Sequence, residues 1–367
     1  MVSLDGMPAK VFEKAWKYHG SDIHVQELWT VYPSITVPAH VSILTGKTPR
    51  EHGVMENLVM EGPGFQKVSL YHPSKEEAER IMPDDTIVHK FTARGLKCGS
   101  INWPLGDGLP GENHSEDLTT HEEESGVQAA YEKDLRTLEL LRQEMEKGEK
   151  DFIAAHFEEY DGAAHIYGVK NERTEEACRH MTAYVMELIR TARECGIEKM
   201  IFFSDHGMLD KKDNFFPNVY VREHGFEKEI DEGKIIFLTD GSGCMQFFSE
   251  LTPQDDQAVA DCLMESGQIE SVHWLSEEKY MEKRWYPKAV LEMRKGICSE
   301  DIMDRAEEKY HDMKGLHGYD PEHVREMNGF FLAYDPGKRL SLDGRRIKIT
   351  DVPPMIETLV MEGRKDI

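Results

Sequence analysis

Two segments of the sequence carry possible metal ligands directly after a short apolar run. Asp5 follows the apolar residues 1–4, and the pair Asp205-His206 follows the run 200–204. Short apolar runs rich in Ile and Phe are typical of buried strands. Aspartate after a strand is also an ordinary helix-capping residue, so each position alone would be weak evidence. Carboxylate and imidazole groups at neighbouring strand ends could nevertheless bind a divalent metal ion.

A second set of possible ligands has helical or turn-like spacing. Asp161 and His165 follow the apolar run 152–157 and are four residues apart, so a helical turn would direct both side chains to the same side. His317 lies in a tight polar turn, residues 315–320. With the first set, this makes three carboxylates and three imidazoles. We expect two divalent ions, with zinc as the first choice and manganese or iron as alternatives.

Thr36 could supply a nucleophile next to these ligands. Its segment, residues 32–46, contains Pro38 two positions later and ends in Gly46. This pattern predicts a short helix with Thr36 as its N-cap, where backbone amides and the helix dipole favour negative charge. A threonine hydroxyl attacks well only when a base or a metal lowers its pKa. The alternative is that Thr36 merely caps the helix.

The elements that would position these residues predict an α/β fold. Amphipathic helical patterns at 126–147 and 174–195 alternate with the apolar runs, which indicates a mostly parallel central sheet with helices on both faces. Ligands of such sheets bind beyond the carboxyl ends of the strands. We expect a core formed by 1–207 and 317–367. Residues 208–316 read as an inserted α+β subdomain, and 58–85 as an irregular insertion rich in Pro, Gly and charge.

Composition narrows the class of partner. The 367 residues carry a formal net charge of −25, which disfavours a nucleic acid polymer. A small anionic phosphate ester remains possible if bound cations invert the local field. The six cysteines form no CxxC pair and no apolar run reaches membrane-spanning length, so we expect free thiols, no membrane partner and a cytoplasmic location. The sequence carries no signal for an oligomeric state.

The residues above occur in motifs that resemble the alkaline phosphatase superfamily, and within it the nucleotide pyrophosphatase/phosphodiesterase branch. The resemblance covers 1–57, 152–207 and 315–360. In chain order, the motifs are Ser3-Leu4-Asp5-Gly6-Met7, Pro33-Ser34-Ile35-Thr36-Val37-Pro38 through Thr45-Gly46, Pro49-Arg50-Glu51-His52-Gly53 through Asn57, Glu159-Tyr160-Asp161 through His165, Phe203-Ser204-Asp205-His206-Gly207-Met208, and Leu316-His317-Gly318-Tyr319-Asp320.

The resemblance implies a role for each of these residues. Asn57 would hydrogen-bond a phosphoryl oxygen, together with amides at the helix N-terminus. Thr36 would attack phosphorus in line and form a phosphothreonine intermediate. One metal would be held by Asp5, Thr36, Asp205 and His206, and the other by Asp161, His165 and His317.

The function that this resemblance implies is hydrolysis of small phosphodiesters, possibly nucleotides, by a metal-dependent phosphodiesterase or nucleotide pyrophosphatase. An alternative on the same fold is a phosphonoacetate hydrolase-type enzyme that cleaves a carbon–phosphorus bond and needs cationic groups for the substrate carboxylate. A phosphomonoesterase would need an arginine for the extra phosphate charge, and Arg50 is the candidate. A non-catalytic metal- or phosphate-binding protein is the alternative from a different class.

Overall fold

The computed structural model of the chain describes residues 1–18, 22–61, 66–71, 73–114, 123–275, 286–304, 312–337, 340 and 346–361. Parts of each predicted segment, 1–207 with its insertion 58–85, 208–316 and 317–367, therefore lie outside the described residues. The strands are β1 (Val2–Leu4), β2 (Ile23–Trp29), β3 (Leu58–Glu61), β4 (Gln66–Ser69), β5 (Cys98–Ile101), β6 (Glu112–His114), β7 (Phe152–Phe157), β8 (Met200–Phe203), β9 (Leu209–Asp210), β10 (Asp213–Phe215), β11 (Ile235–Leu238), β12 (Cys244–Ser249), β13 (Ile269–Trp274), β14 (Ala289–Met293), β15 (Ile297–Ser299), β16 (Gly315–Leu316), β17 (Gly329–Tyr334) and β18 (Ile347–Lys348). The α-helices are α1 (Ala9–Ala15), α2 (Thr36–Thr45), α3 (Pro49–His52), α4 (Lys75–Ile81), α5 (Ile87–Ala93), α6 (Glu123–Lys147), α7 (Glu159–Tyr167), α8 (Glu172–Cys195), α9 (Pro217–Val221), α10 (Glu227–Asp231), α11 (Pro253–Glu265) and α12 (Val352–Met361).

The central sheet has eight strands in the order β18-β2-β17-β8-β1-β7-β5-β6. Strand β1 lies between β7 and β8 and is parallel to both. Only β17 is antiparallel to its neighbours, β2 and β8, among the described pairs of this sheet. This arrangement confirms the predicted α/β fold with a mostly parallel sheet.

Helices cover both faces of this sheet. Successive side chains of a strand point to opposite faces, and β8 shows this directly. Ile201 and Phe203 pack in a core cluster with residues of α2, α5 and α12. Met200 and Phe202 pack in a second cluster with residues of α1, α7 and α8. The two long predicted helices, α6 and α8, are confirmed, and the apolar stripe of α8 is buried.

Residues between β8 and β17 form a separate antiparallel sheet in the order β11-β12-β14-β13. Its core includes Phe237, Phe247 and Leu291, against which Val259 and Leu263 of α11 pack. Strands β9 and β16 pair with each other where the chain leaves and re-enters the larger body. Strands and helices both occur in this region, in agreement with the predicted α+β character, while the division into a 1–207/317–367 core and a 208–316 subdomain stays a prediction.

The expectation that residues 58–85 are irregular is wrong for their described part. Strands β3 and β4 form an antiparallel hairpin, and α4 follows with Ser74 as its cap. Leu58 and Met60 are buried against Leu238 and Phe248 of the inserted sheet. Leu58 and Met60 lie on the face of β3 that the inserted sheet covers, and Val59 is buried on the other face in the main core cluster, so this short apolar run forms a strand.

All six cysteines are free thiols, as expected. Within the described residues, no helix combines the length and the hydropathy needed to cross a bilayer.

Candidate active site

Three carboxylates meet at one edge of the central sheet. Strands β1, β7 and β8 are neighbours and parallel, so their carboxyl ends lie side by side. Asp5 directly follows β1, Asp205 follows β8 by two residues, and Asp161 lies in the first turn of α7 after β7. The N–H of Gly6 donates to Asp205 Oδ1 at 3.3 Å, which ties two of these strand ends together.

Thr36 lies beside the first group of predicted ligands. It is the first residue of α2, and Ile35 has the extended backbone of a cap residue, so the prediction that Thr36 is the N-cap is wrong by one position. Thr36 Oγ1 lies 3.2 Å from His206 Nε2. The same nitrogen lies 3.4 Å from Asp5 Oδ1 and 3.3 Å from Asp205 Oδ2. The donor atoms of these four side chains therefore converge near His206 Nε2.

The second group of predicted ligands lies next to the first. His165 Nε2 is 3.2 Å from Asp161 Oδ2, as the four-residue spacing on one helix predicts. Asp161, His165 and His317 each offer a donor atom within 4.8 Å of the other two. Asp161 also satisfies that limit with Asp5 and His206, so the two groups adjoin through this carboxylate. The ring of His317 stacks on that of His206 with centroids 4.1 Å apart.

Each of the three predicted histidine ligands is held by a backbone carbonyl. His165 Nδ1 donates to Gly315 O at 2.9 Å, and His317 Nδ1 to Ser34 O at 3.1 Å. His206 Nδ1 lies 3.1 Å from Gly207 O. A carbonyl accepts only from a protonated nitrogen, so Nε2 of each neutral ring presents its lone pair to the site. This is the usual outer contact of a metal-binding histidine.

The carboxylates also fit a metal site. Asp5 Oδ1, Asp161 Oδ1 and Asp205 Oδ2 are buried oxygens without a hydrogen-bond partner among the described residues. Buried charged oxygens without a partner carry a large free-energy penalty, which bound cations would remove. Nitrogen and oxygen donors of this kind suit zinc, manganese or iron. The structure thus brings every predicted ligand together, while their roles as ligands stay predictions.

The electrostatics of these side chains follow from burial and from the crowding of charged groups. Burial and the neighbouring carboxylates raise the pKa of Asp5 well above its usual value. Burial also acts to raise the pKa of Asp161, but nearby imidazoles, His165 foremost, outweigh it and the pKa is lowered. The pKa of His317 falls well below its usual value because burial and the adjacent imidazoles disfavour its cation. A neutral His317 is the form that can bind a metal.

Asn57 is fixed at the N-terminus of α2. Its Oδ1 accepts the N–H of Val37 at 2.9 Å, which turns Nδ2 towards Tyr71 OH at 2.6 Å and Asp240 Oδ2 at 3.1 Å. Fewer helix amides are available to a phosphoryl group than the sequence indicated. The N–H of Val37 is bonded to Asn57 Oδ1, and Pro38 has no N–H. The N–H of Thr36 itself has no acceptor in the described part of the chain.

A cavity of about 500 Å³ opens over these groups. Thr36, Asp161 and His317 are among its lining residues. Its other walls combine apolar side chains with a few charged ones, and they include Leu70, Tyr71, Trp103, Pro104, Leu105, Asp107, Lys133, Glu158, Ile166, Asp240 and Met313. Lys133 is the only lysine or arginine among the described lining residues, and its Nζ donates to Glu158 Oε2 at 2.9 Å.

Two buried histidines support the site without having been singled out in the sequence. His156 Nε2 lies 2.9 Å from Asp5 Oδ2, and its Nδ1 lies 3.1 Å from Asn102 O. His40 Nδ1 lies 2.7 Å from Thr36 O and 3.5 Å from Asp205 Oδ2. The sequence offered one signal for each residue. His156 is a polar residue inside the apolar run of β7, and His40 lies one helical turn after Thr36.

Arg50 is not among the residues that line this cavity. Its Nη2 donates to the carbonyl of Trp274 in the inserted sheet. Sequence reasoning also missed Tyr71 and Asp240. Asp240 reaches the site from the inserted region, and its Oδ2 accepts a hydrogen bond from Tyr71 OH at 2.7 Å.

Comparison with known proteins identifies similar sequences. The family model of type I phosphodiesterase/nucleotide pyrophosphatase matches residues 1–320. Human ectonucleotide pyrophosphatase/phosphodiesterase family member 1 is 27% identical over 221 residues, which are 57% of this chain and 23% of that protein. The venom phosphodiesterase of Macrovipera lebetinus is 22% identical over 371 residues, which are 92% of this chain and 40% of that protein. The chain thus spans less than half the length of these curated relatives.

Solved structures share the fold. Murine ectonucleotide pyrophosphatase/phosphodiesterase 5 superposes with a TM-score of 0.69 at 17% identity, covering 98% of this chain and 94% of its own. An inactive threonine-to-alanine variant of that protein, in complex with AMP, superposes with a TM-score of 0.70 at 17% identity. The match covers 98% of this chain and 93% of that chain. Phosphonoacetate hydrolase from Sinorhizobium meliloti 1021, in complex with phosphonoformate, superposes with a TM-score of 0.67 at 16% identity. The match covers 98% of this chain and 94% of that chain.

Proposed function

Because the chain belongs to the type I phosphodiesterase/nucleotide pyrophosphatase family, within the alkaline phosphatase superfamily, we propose that it hydrolyses small phosphodiesters with Thr36 as nucleophile. Nucleotides and related diesters are the proposed substrates, and divalent metal ions are the proposed cofactors. The observation that carries the proposal is the position of Thr36 Oγ1, 3.2 Å from His206 Nε2 and on the wall of the cavity.

The proposed ligand sets follow the two groups of side chains. Asp5, Thr36, Asp205 and His206 would hold one ion, and Asp161, His165 and His317 the other. When bound, two divalent ions lower the pKa of a bound hydroxyl and neutralise charge on the phosphoryl group and on the departing oxygen. We propose zinc first because the donors are nitrogen and carboxylate oxygen, with manganese and iron as alternatives.

The chain's own residues then position and transfer the phosphoryl group. Thr36 Oγ1 forms the new bond to phosphorus while the alcohol departs on the opposite side, and water later cleaves the phosphothreonine. The N–H of Thr36 and Asn57 Nδ2 would donate to the non-bridging oxygens, and a phosphoryl oxygen would then replace Tyr71 OH or Asp240 Oδ2 as an acceptor of Asn57 Nδ2. Such donors act because they are already oriented: Asn57 is fixed by the N–H of Val37 before substrate arrives.

The charges around the phosphoryl position favour a diester over a monoester. Asp240 Oδ2 lies 3.1 Å from Asn57 Nδ2, so a phosphoryl oxygen bound to that amide would lie near a carboxylate. A monoester dianion carries one more negative charge at this point than a diester does. No arginine is found among the described residues that line the cavity, and a dianion would be expected to need one.

The cavity walls support a substrate with a sizeable organic group. Trp103, Leu70 and Pro104 offer flat or apolar surface next to Thr36. A base or another aromatic group could pack there, since aromatic and apolar side chains are the usual lining of small-molecule sites. The complex of a structurally similar protein with AMP makes nucleotides the first substrates to test.

A carbon–phosphorus hydrolase of the phosphonoacetate type is the second candidate. Lys133 lines the cavity and could bind a substrate carboxylate. Its ammonium group already pairs with Glu158, which reduces the positive charge available for that role. This contact favours the phosphodiesterase, although the two enzymes would share the same metals and nucleophile.

The test is hydrolysis of three substrates by metal-loaded protein: bis-p-nitrophenyl phosphate, p-nitrophenyl phosphate and phosphonoacetate. The proposal expects the highest kcat/KM for the diester. Preference for phosphonoacetate would support the carbon–phosphorus hydrolase instead. Preference for the monoester would contradict the proposal that the charge of Asp240 disfavours a monoester. No hydrolysis of any of the three, by protein that contains two bound ions, would remove the proposed function.

A further inference from the structure

A second group of possible metal ligands lies outside the catalytic cavity. It consists of His273 on β13, Glu292 on β14, and Asp320 and His323 in the turn after β16, and we call it the strand–turn cluster. None of the four lines the cavity or belongs to the two ligand sets described above. His273, Glu292 and Asp320 each offer one donor atom within 4.8 Å of the other two.

The register of the inserted sheet brings two members of this cluster, His273 and Glu292, together. Ser271 is opposite Glu292, and His273 is opposite Val290. Directly opposite residues share a face, and positions two apart on one strand do so as well, so His273 and Glu292 are diagonal neighbours on the same face. The turn after β16 supplies the rest, because the N–H of Asp320 donates to Glu292 Oε1 at 2.9 Å.

Glu292 is the centre of the cluster. Its carboxylate is fully buried, and Oε2 accepts from His323 Nδ1 at 2.7 Å and from Ser271 Oγ at 2.9 Å. His273 Nε2 lies 2.8 Å from Ser271 Oγ, and the ring of Tyr32 packs on the His273 ring at 4.5 Å. These contacts hold both imidazoles and the carboxylate around one small volume, and a bound ion would replace the hydrogen bond between His323 and Glu292.

Charge and donor type suit a divalent ion. Glu292 and Asp320 together carry two negative charges when the imidazoles are neutral, which a divalent cation would balance. Two imidazole nitrogens with two carboxylates is a donor set that transition ions such as zinc accept. Around a tetrahedral ion, with bonds of about 2.0–2.2 Å, donor atoms lie roughly 3.3–3.6 Å apart, which falls within the 4.8 Å limit that His273, Glu292 and Asp320 satisfy.

We propose that the strand–turn cluster is a third, structural site for a divalent transition metal of the zinc type. The ion would link the inserted sheet to the turn that begins at His317, three residues before Asp320. The same face of the sheet also meets the segment before Thr36, because Val290 packs in one cluster with Ile35 and Tyr32. The third ion would therefore fix both catalytic segments against the insertion, whatever substrate the protein hydrolyses.

The direct test is anomalous diffraction at the zinc edge from crystals of the full chain grown with zinc. The proposal expects a peak bonded to His273 and Glu292 in addition to those at Asp161 and Asp205. Peaks only at the catalytic groups would overturn it and leave the cluster as a hydrogen-bonded network. A peak at the cluster without the catalytic ones would support it and contradict the proposed function, so the two failures are distinguishable.

Metal content in solution gives an independent readout. The double variant His273→Ala/His323→Ala is expected to lose one zinc per chain after dialysis, by mass spectrometry. The control His224→Ala removes an exposed histidine stacked on Tyr220 and is expected to lose none. If the double variant does not fold, Asp320→Asn serves in its place. An unchanged zinc content in a folded variant would overturn the proposal.

Discussion

His206 Nε2 lies 3.2 Å from Thr36 Oγ1, although the two residues are 170 positions apart in the chain. The contact joins the first turn of α2 to the segment after β8, and Asp5 and Asp205 approach the same nitrogen within 3.4 Å. A hydroxyl at this point lies among the predicted metal ligands, and a bound metal ion can activate a weak nucleophile.

Gly6 is the position at which a single methyl group should damage the metal site. A Cβ at Gly6 would lie 2.4 Å from Asp161 Oδ1, and its φ is +68°. We expect Gly6→Ala to displace Asp161, reduce the affinity for metal and lower kcat/KM for the diester by at least about tenfold, a typical effect of disturbing a ligand's position. Titration with zinc and steady-state kinetics would measure both.

Gly196 provides the matched control for this substitution. Its φ is +71°, but no atom lies within 4 Å of the position that a Cβ would occupy. Both alanine variants carry a similar backbone strain of about 1 kcal/mol, so a difference between them isolates the contact with Asp161. Equal losses of activity in the two variants would argue against a role for Asp161.

Asn57→Ala should lower kcat without unfolding the site. In the proposed role Asn57 Nδ2 donates to a phosphoryl oxygen in place of Tyr71 OH or Asp240 Oδ2, and loss of one such donor costs about 10²–10³ in rate. Asn113, whose Nδ2 donates to Leu109 O away from the cavity, gives the control Asn113→Ala. Diester hydrolysis would be measured for both, and a loss below tenfold in Asn57→Ala would refute the assigned role.

Asp240→Asn should change which ester the protein prefers. Removal of one charge near the phosphoryl oxygens, at an effective dielectric constant of about 20, is worth up to roughly 2–3 kcal/mol for a substrate with an extra negative charge. We expect the monoester-to-diester ratio of kcat/KM to rise at least about tenfold. The exposed Asp213 gives the control Asp213→Asn. An unchanged ratio would show that Asp240 does not set this preference.

His165→Ala should weaken metal binding selectively. The variant removes one of the three donors that gather around Asp161, while His180, which pairs with Glu159 instead, gives the control His180→Ala. An ion that binds only the folded state adds about 2.7 kcal/mol of stability at a hundredfold excess over its Kd. We therefore expect zinc to raise Tm less in His165→Ala than in the control. The same zinc-induced shift in both variants would exclude His165 as a ligand.

The sequence predicts the proximity of the candidate ligands because three of them follow strands. Asp5, Asp161 and Asp205 follow neighbouring parallel strands, and that topology alone brings their side chains to one edge of the sheet. His156 was missed because it lies inside the apolar run of β7, where nothing but its type distinguishes it. Asp240 was missed because its approach to Asn57 depends on how the inserted sheet packs.

Two local features differ from the prediction because they depend on contacts with residues that are distant in the sequence. The hairpin of β3 and β4 forms where Leu58 and Met60 meet the inserted sheet. The cap of α2 falls at Ile35 instead of Thr36, since the Thr36 hydroxyl points towards His206. The cytoplasmic location and the choice of zinc stay predictions, because neither follows from the arrangement of side chains.

The nucleophile is the central claim, and Thr36→Ala tests it most directly. Diester hydrolysis would be measured for this variant and for Thr45→Ala, which removes a hydroxyl of the same helix that donates to Val41 O and accepts the N–H of Lys47. Both proteins would be loaded with zinc and their metal content verified. We predict a loss of at least about 10³-fold in kcat for Thr36→Ala and near-normal activity for Thr45→Ala. Diester hydrolysis within tenfold of wild type by metal-loaded Thr36→Ala would contradict the claim.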